Sequence, residues 1–114
     1  MECLFCKIAI GEIPSDVVFE DADIKAFKDI HPKAPVHLLV IPKVHIQSIA
    51  HLETNHSGII AKLLYAAKDV AARSGLAGYK LVFNVGREGG QMIDHLHLHI
   101  LGGWGETSEK KINV

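Results

Sequence analysis

Two hydrophobic rhythms alternate along this chain, and the changes between them outline its elements. Leu4-Phe5-Cys6-Lys7-Ile8-Ala9-Ile10 predicts a short helical segment that stops at Gly11, with Pro14 holding the next stretch extended. Val17–Glu20 and Ile24–Lys28 predict two strands joined by the turn-prone Asp21-Ala22-Asp23, a hairpin signal. Pro32 and Pro35 fix a loop that begins at Asp29, and His37-Leu38-Leu39-Val40-Ile41 follows as a buried strand ended by Pro42. From about Thr54 to Ser74 the period lengthens: Ile59, Ile60, Leu63, Leu64, Ala67, Val70 and Ala71 recur three and four residues apart. Lys62, Lys68, Asp69 and Arg73 take the other side of that helix, and Gly75 is its stop. Gly78 opens the next turn, Tyr79–Asn84 predicts a strand, and 86–91 a flexible glycine-rich loop. A final strand over 95–101 ends at Gly102-Gly103.

Strands that precede and follow one long helix predict an α+β fold rather than a parallel βαβ sheet. The expected form is a five-stranded antiparallel meander sheet with the long helix on one face and an open shelf on the other. No repeat, low-complexity stretch or linker interrupts the chain, so residues 1–114 are expected to form one domain, with 103–114 as a variable polar tail.

Composition narrows the partners. A 114-residue chain with 48% hydrophobic and 22% charged residues is ordinary for a globular domain. Its net charge of −1 gives no electrostatic reason to expect nucleic acid or an anionic membrane, although a small phosphorylated ligand needs only a few local donors. No run approaches the roughly 20 apolar residues of a membrane span, and the first residues do not read as a signal peptide. A cytoplasmic location is expected. Cys3 and Cys6, the only two cysteines, argue against a disulfide scaffold. As a Cys-x-x-Cys pair they read either as half of a zinc site or as two buried cysteines on a helical turn.

The chemistry concentrates in His95-Leu96-His97-Leu98-His99-Ile100-Leu101. On a strand the three imidazoles share one face, roughly 6.6 Å apart, while Leu96, Leu98 and Ile100 back them on the other. Three groups that titrate near neutrality, on a rigid apolar-backed strand, point to a site rather than a solvated face. A polar strand face would carry Thr, Lys, Glu and Ser instead.

Residues 95–101 match, at every position, the His-φ-His-φ-His-φ-φ motif of the histidine triad proteins, and the chain resembles that family of nucleotide-binding hydrolases and transferases. The resemblance continues through Phe27-Lys28-Asp29-Ile30, the run from His37 to His45, Asn84 and Gly89-Gly90-Gln91, and covers residues 3–103. It lies nearest the Hint-type purine-nucleoside phosphoramidases.

The resemblance implies that His97 is the nucleophile and forms a covalent nucleotidyl-histidine that water then cleaves. His99, Asn84, Gln91 and the backbone N–H groups of Gly89-Gly90 are then candidates to hold the phosphoryl oxygens, and His37 to support the nucleophile through hydrogen bonds. Asp29 resembles the family's ribose ligand, although by itself it reads equally as the cap of a turn. Phe5, Ile8, Phe27 and Ile30 resemble the slot for the base, with Leu4 at its edge; without the resemblance they read as core. Cys3, Cys6, His45 and His95 resemble the ligands of a closed structural zinc site, one ion per chain. His31, His51 and His56 are expected to be solvated.

The implied activity is cleavage at the α-phosphorus of purine nucleoside phosphoramidates or related nucleotidyl conjugates, by a homodimer. Two departures bear on the leaving group. Met92 stands where the branch commonly has serine, and the end of the chain lacks the branch's Trp-Pro-Pro-Gly. The alternatives are diadenosine polyphosphate hydrolysis and a nucleotide-binding regulatory module with little turnover. The nucleotidyltransferase branch usually has glutamine in place of His99.

Overall fold

The computed structural model describes residues 3–106; the expected tail lies outside the described residues from 107 onward. Five strands form one sheet: β1 (Val17–Glu20), β2 (Ile24–Lys28), β3 (Val36–Pro42), β4 (Tyr79–Val82) and β5 (Leu98–Gly102). Helix α1 spans Leu4–Ala9 and helix α2 spans Ser57–Arg73. The strand order is β1-β2-β3-β5-β4, and each neighbouring pair is antiparallel.

The antiparallel sheet and its long helix are as the sequence predicts, and the meander holds for the first three strands. It departs at the end because β5 lies between β3 and β4. Both flank β5 in antiparallel fashion, so β3 and β4 point the same way. Strands pointing the same way need a long crossover, and α2 supplies it. The chain passes over the sheet, descends at the far edge as β4, and returns through the vacant slot as β5.

The two faces of the sheet carry separate cores. On one, Leu63, Ala67, Val70 and Ala71 of α2 pack on Ile24, Ala26, Leu38, Val40, Leu98 and Ile100. On the other, Phe5, Ile8 and Ala9 of α1 pack on Phe27, Leu39 and Ile41. β3 is thus buried on both faces, which is why it reads as an unbroken apolar run. The expected open shelf is therefore half roofed. α1 covers the β2–β3 side, tied down by Lys25, whose Nζ donates to the Ile8 carbonyl at 2.7 Å.

Several boundaries shift for local reasons. Two 3₁₀ turns, Ile49–His51 and Thr54–His56, precede α2, and His56 Nδ1 accepts the Glu53 N–H at 3.0 Å. His31 and His51 are exposed, as expected, although His51 Nδ1 lies 2.7 Å from Ser48 Oγ; His56 is half-buried. β5 begins at Leu98 rather than at His95, its ladder with β3 running out at the Val40–Leu98 pair. Upstream of that point the backbone bond from the Leu96 N–H to the Ile46 carbonyl, 2.6 Å, holds the segment extended. Among the described residues, no helix is long and apolar enough to cross a membrane.

Candidate active site

Three imidazoles that look equivalent in sequence are held in three different ways. His97 Nδ1 donates to the His95 carbonyl at 2.7 Å, which places the proton on Nδ1 and leaves the Nε2 lone pair free. His95 does the reverse. Its Nε2 donates to the Pro42 carbonyl at 2.8 Å, leaving the Nδ1 lone pair toward the cysteines. Phe5 sets an edge against His97, ring centroids 5.1 Å apart, and fixes the ring that two residues of backbone already orient.

His99 takes its tautomer from a longer chain. The Lys33 N–H donates to His37 Nδ1 at 3.0 Å, so the His37 proton sits on Nε2. That Nε2 donates to His99 Nδ1 at 2.9 Å and lies 3.4 Å from Asp29 Oδ2. His99 therefore carries its proton on Nε2, a buried atom with no partner among the described residues. A buried unpaired donor costs about 1–3 kcal/mol, and such a cost is characteristic of ligand sites. Burial, then the neighbouring His97 and His37, pulls the His99 pKa down to about 4. Burial also holds His97 below its ordinary value, against the His95 carbonyl and the Asp29 charge, so both rings are neutral near pH 7.

Beside this chain lies a second cluster. Cys3 Sγ, Cys6 Sγ, His45 Nδ1 and His95 Nδ1 lie within 4.8 Å of one another. Cys6 Sγ is 3.2 Å from His45 Nδ1 and 3.4 Å from His95 Nδ1, and Cys3 Sγ is 3.3 Å from His95 Nδ1. The sulfur–nitrogen edge of a tetrahedral zinc site is about 3.5 Å, from bond lengths near 2.3 and 2.05 Å. Burial, followed by hydrogen bonding and charge from Cys3, pushes the Cys6 thiol up to about 11, and a dication is the agent that would reverse this. The donor set fits a metal ion: two thiols, with a His95 lone pair already facing them. Cys3 also caps α1, its Sγ accepting the Cys6 N–H at 3.2 Å.

Asp29, His37 and His99 converge as closely, within the same 4.8 Å, yet they do not fit a metal ion. The Lys33 amide forces a proton onto the very nitrogen that would have to coordinate. This group is a hydrogen-bond chain.

The Asp29/His37/His99 cluster lines a cleft of about 1160 Å³, to which Cys3, Cys6, His45 and His95 contribute no lining. Phe5, Ile8, Phe27 and Ile30 line its apolar end, with Leu4 beside them; Asp29, His37, His97 and His99 line its middle. Asn84, Gly90 and Met92 form one lip, and residues 79–82 of β4 the far wall. Gly90 has φ +88°, a left-handed backbone that a side chain would strain.

Comparison with known proteins gives this geometry a lineage. A family model described as scavenger mRNA decapping enzyme C-term binding matches residues 2–113. A HIT family hydrolase from Legionella pneumophila Philadelphia 1, known by crystal structure, superposes with a TM-score of 0.89 at 53% identity, covering 96% of this chain and 100% of its own. The purine nucleoside phosphoramidase of Escherichia coli K12 is 40% identical over 104 residues, 90% of this chain and 87% of that protein. The chain belongs to the histidine triad family.

A third relative, the 14 kDa zinc-binding protein of Zea mays, is 48% identical over 103 residues, 88% of this chain and 80% of that protein. Within the histidine triad frame, the Hint-like branch fits. Several residues singled out in the sequence do not serve the cleft: the Gly89 and Gly90 N–H groups donate to the Gly86 and Arg87 carbonyls, both at 3.1 Å, and His95 and Gln91 lie outside its lining. His95 is fully buried behind it, and Gln91 is an internal staple. Gln91 Oε1 accepts the Gly86 N–H at 2.9 Å, and its Nε2 donates to the Gln47 and Ile93 carbonyls at 2.7 and 2.9 Å. No amide hydrogen of Gln91 is left for a phosphate. Around it Arg87 grips the Gln91 carbonyl at 2.6 Å and the Asp94 carboxylate with both guanidinium nitrogens, so the loop expected to be flexible is pinned from two sides. Sequence reasoning missed Arg87, Asp94 and the Lys33 amide. The first two carry a readable signal, opposite charges flanking a glycine-rich loop; a backbone N–H carries none.

Proposed function

We propose that this chain hydrolyses nucleotidyl conjugates at the α-phosphorus, with purine nucleoside phosphoramidates as the substrate class and a covalent nucleotidyl-histidine at His97 as the intermediate. One observation carries the reading: within one cleft, His97 offers a lone pair while His99 offers a proton.

The steps follow from that placement. The nucleoside lies with its base between Phe5, Ile8, Phe27 and Ile30 and its ribose hydroxyls on Asp29. His97 Nε2 attacks the α-phosphorus, and its lone pair becomes the new P–N bond. The bond to the amine breaks, and the amine takes a proton from solvent, since Met92 at the lip has none to give. Water then attacks the same phosphorus and breaks the P–N bond to His97. The nucleoside monophosphate leaves, and the proton of the water passes to solvent. The His99 Nε2–H and the Asn84 amide hold the phosphoryl oxygens as charge builds. Asn84 is aimed by its own bond to the Gly89 carbonyl, 2.9 Å.

Cys3, Cys6, His45 and His95 would hold one structural zinc per chain. It would neutralise the thiolates and tie α1 to the segment that carries His97. The same reading makes residues 1–114 one histidine triad domain, cytoplasmic and homodimeric. The exposed Leu64 and Tyr65 of α2 and Leu81 on edge strand β4 support a seam there.

The test is release of AMP from adenosine 5′-phosphoramidate by the wild type beside His97→Ala. Turnover that falls about a thousandfold or more in the variant is expected. Binding of AMP with no turnover in either protein would instead favour a binding module.

A further inference from the structure

Asp29 sits at a junction that a sugar ligand alone does not require. Its Oδ1 accepts the His31 N–H at 2.8 Å, which locks the carboxylate plane. Its Oδ2 then faces His37 Nε2 at 3.4 Å, the nitrogen that donates to His99 Nδ1 at 2.9 Å. His37 has one proton there, hydrogen-bonded to His99, and the Asp29 carboxylate lies close enough to pull on it without making a hydrogen bond. The other ring nitrogen cannot help, because the Lys33 amide occupies Nδ1. A donor drawn toward two acceptors serves each less well than a donor aimed at one.

We propose that Asp29 couples recognition of a ribose to the hydrogen bonding of His99. Bound vicinal hydroxyls donate to Asp29 Oδ2 and satisfy it. The His37 Nε2–H then goes wholly to His99 Nδ1, and His99 is held in the one tautomer whose Nε2–H can meet a phosphoryl oxygen. No covalent bond changes in this step; hydrogen bonds are redistributed along a fixed chain from the Lys33 amide to His99. A nucleotide without the sugar hydroxyls leaves the Asp29 charge pulling on that proton and the His99 donor less firmly set. The hydroxyls therefore act on the chemical step as well as on binding. This inference rests on the function proposed above, in which the ribose lies on Asp29.

The distinction is kinetic. A group that contributes only uniform binding changes KM, whereas one that sets a transition-state donor changes kcat. The experiment compares adenosine 5′-phosphoramidate with its 2′,3′-dideoxy counterpart, under single-turnover conditions, in wild type and Asp29→Asn. Loss of the hydroxyls is expected to slow the chemical step about fivefold, the worth of one hydrogen bond, beyond any change in affinity. In Asp29→Asn that rate difference should vanish. Ring-nitrogen NMR of the wild-type chain supplies a second readout that needs no turnover. AMP should drive His99 to the Nε2–H tautomer more completely than 2′,3′-dideoxy-AMP does. Equal single-turnover rates for the two substrates, with only their affinities differing, would overturn the coupling while leaving the hydrolase standing. A wild type that cleaves neither substrate would remove the hydrolase reading, and identical NMR responses to the two nucleotides would remove the coupling independently.

Discussion

Two clusters built around a pair of histidines each lie side by side in this protein, and the placement of one proton on a ring helps to separate their chemistry. In Cys3/Cys6/His45/His95, the Pro42 carbonyl draws the His95 proton outward and leaves a lone pair pointing inward. In Asp29/His37/His99, the Lys33 amide fills the outer nitrogen of His37 and forces the proton inward. The first set of groups suits a cation; the second passes hydrogen bonds toward the cleft. Neither carbonyl nor amide belongs to a motif, yet each decides what its cluster can bind. Histidine's role follows from what holds its other nitrogen.

Breaking the second cluster should cost most in activity. His37→Ala removes the group that sets the tautomer of His99, and kcat is expected to fall about a hundredfold, as for loss of a transition-state donor. Metal content, read by elemental analysis, should stay at that of the wild type. A loss of metal in the same variant would show that the clusters are not independent.

Breaking the first cluster should cost stability instead. Cys6→Ala removes one ligand, and Tm in reducing buffer is expected to drop on the order of 10 °C, with bound zinc lost from about one equivalent per chain. Some activity should survive, because the carbonyl that orients His97 is backbone. An unchanged Tm would mean that the four residues hold nothing.

Acid sharpens the same contrast. His99 has a folded pKa of about 4 against an ordinary value of 6.5, so between those limits the unfolded chain binds more protons than the folded one. Its contribution to stability is present above pH 6.5 and is lost as pH falls toward 4. Denaturant titrations across that window should show the loss, and His99→Gln should flatten the slope. The smallest effect belongs to the loop brace. Arg87 and Asp94 are more than half exposed, so Arg87→Ala should weaken AMP binding by less than about threefold by calorimetry.

Much of this was legible in the chain. The strands and the long helix follow from periods of two and of three to four, because each buries one face or both. The alternation of His95, His97 and His99 with aliphatic residues announced a site, since imidazoles on an apolar-backed strand need a purpose. What resisted reading were contacts between segments distant in sequence. Gln91 looks like a phosphate ligand beside two glycines, and only the approach of Gln47 and Gly86 turns it into a staple. Asp29 reads either as a turn cap or as a sugar ligand. It caps His31 with one oxygen and faces His37 with the other.

The sequence by itself determined which residues carry the chemistry, because side-chain type and spacing are local properties of the chain. The tertiary structure alone decided the strand order at the far edge of the sheet and the half-roofed cleft. It also decided which nitrogen of each imidazole bears a proton. Those depend on backbone carbonyls and amides that every residue possesses, so no side-chain pattern distinguishes the one that will arrive.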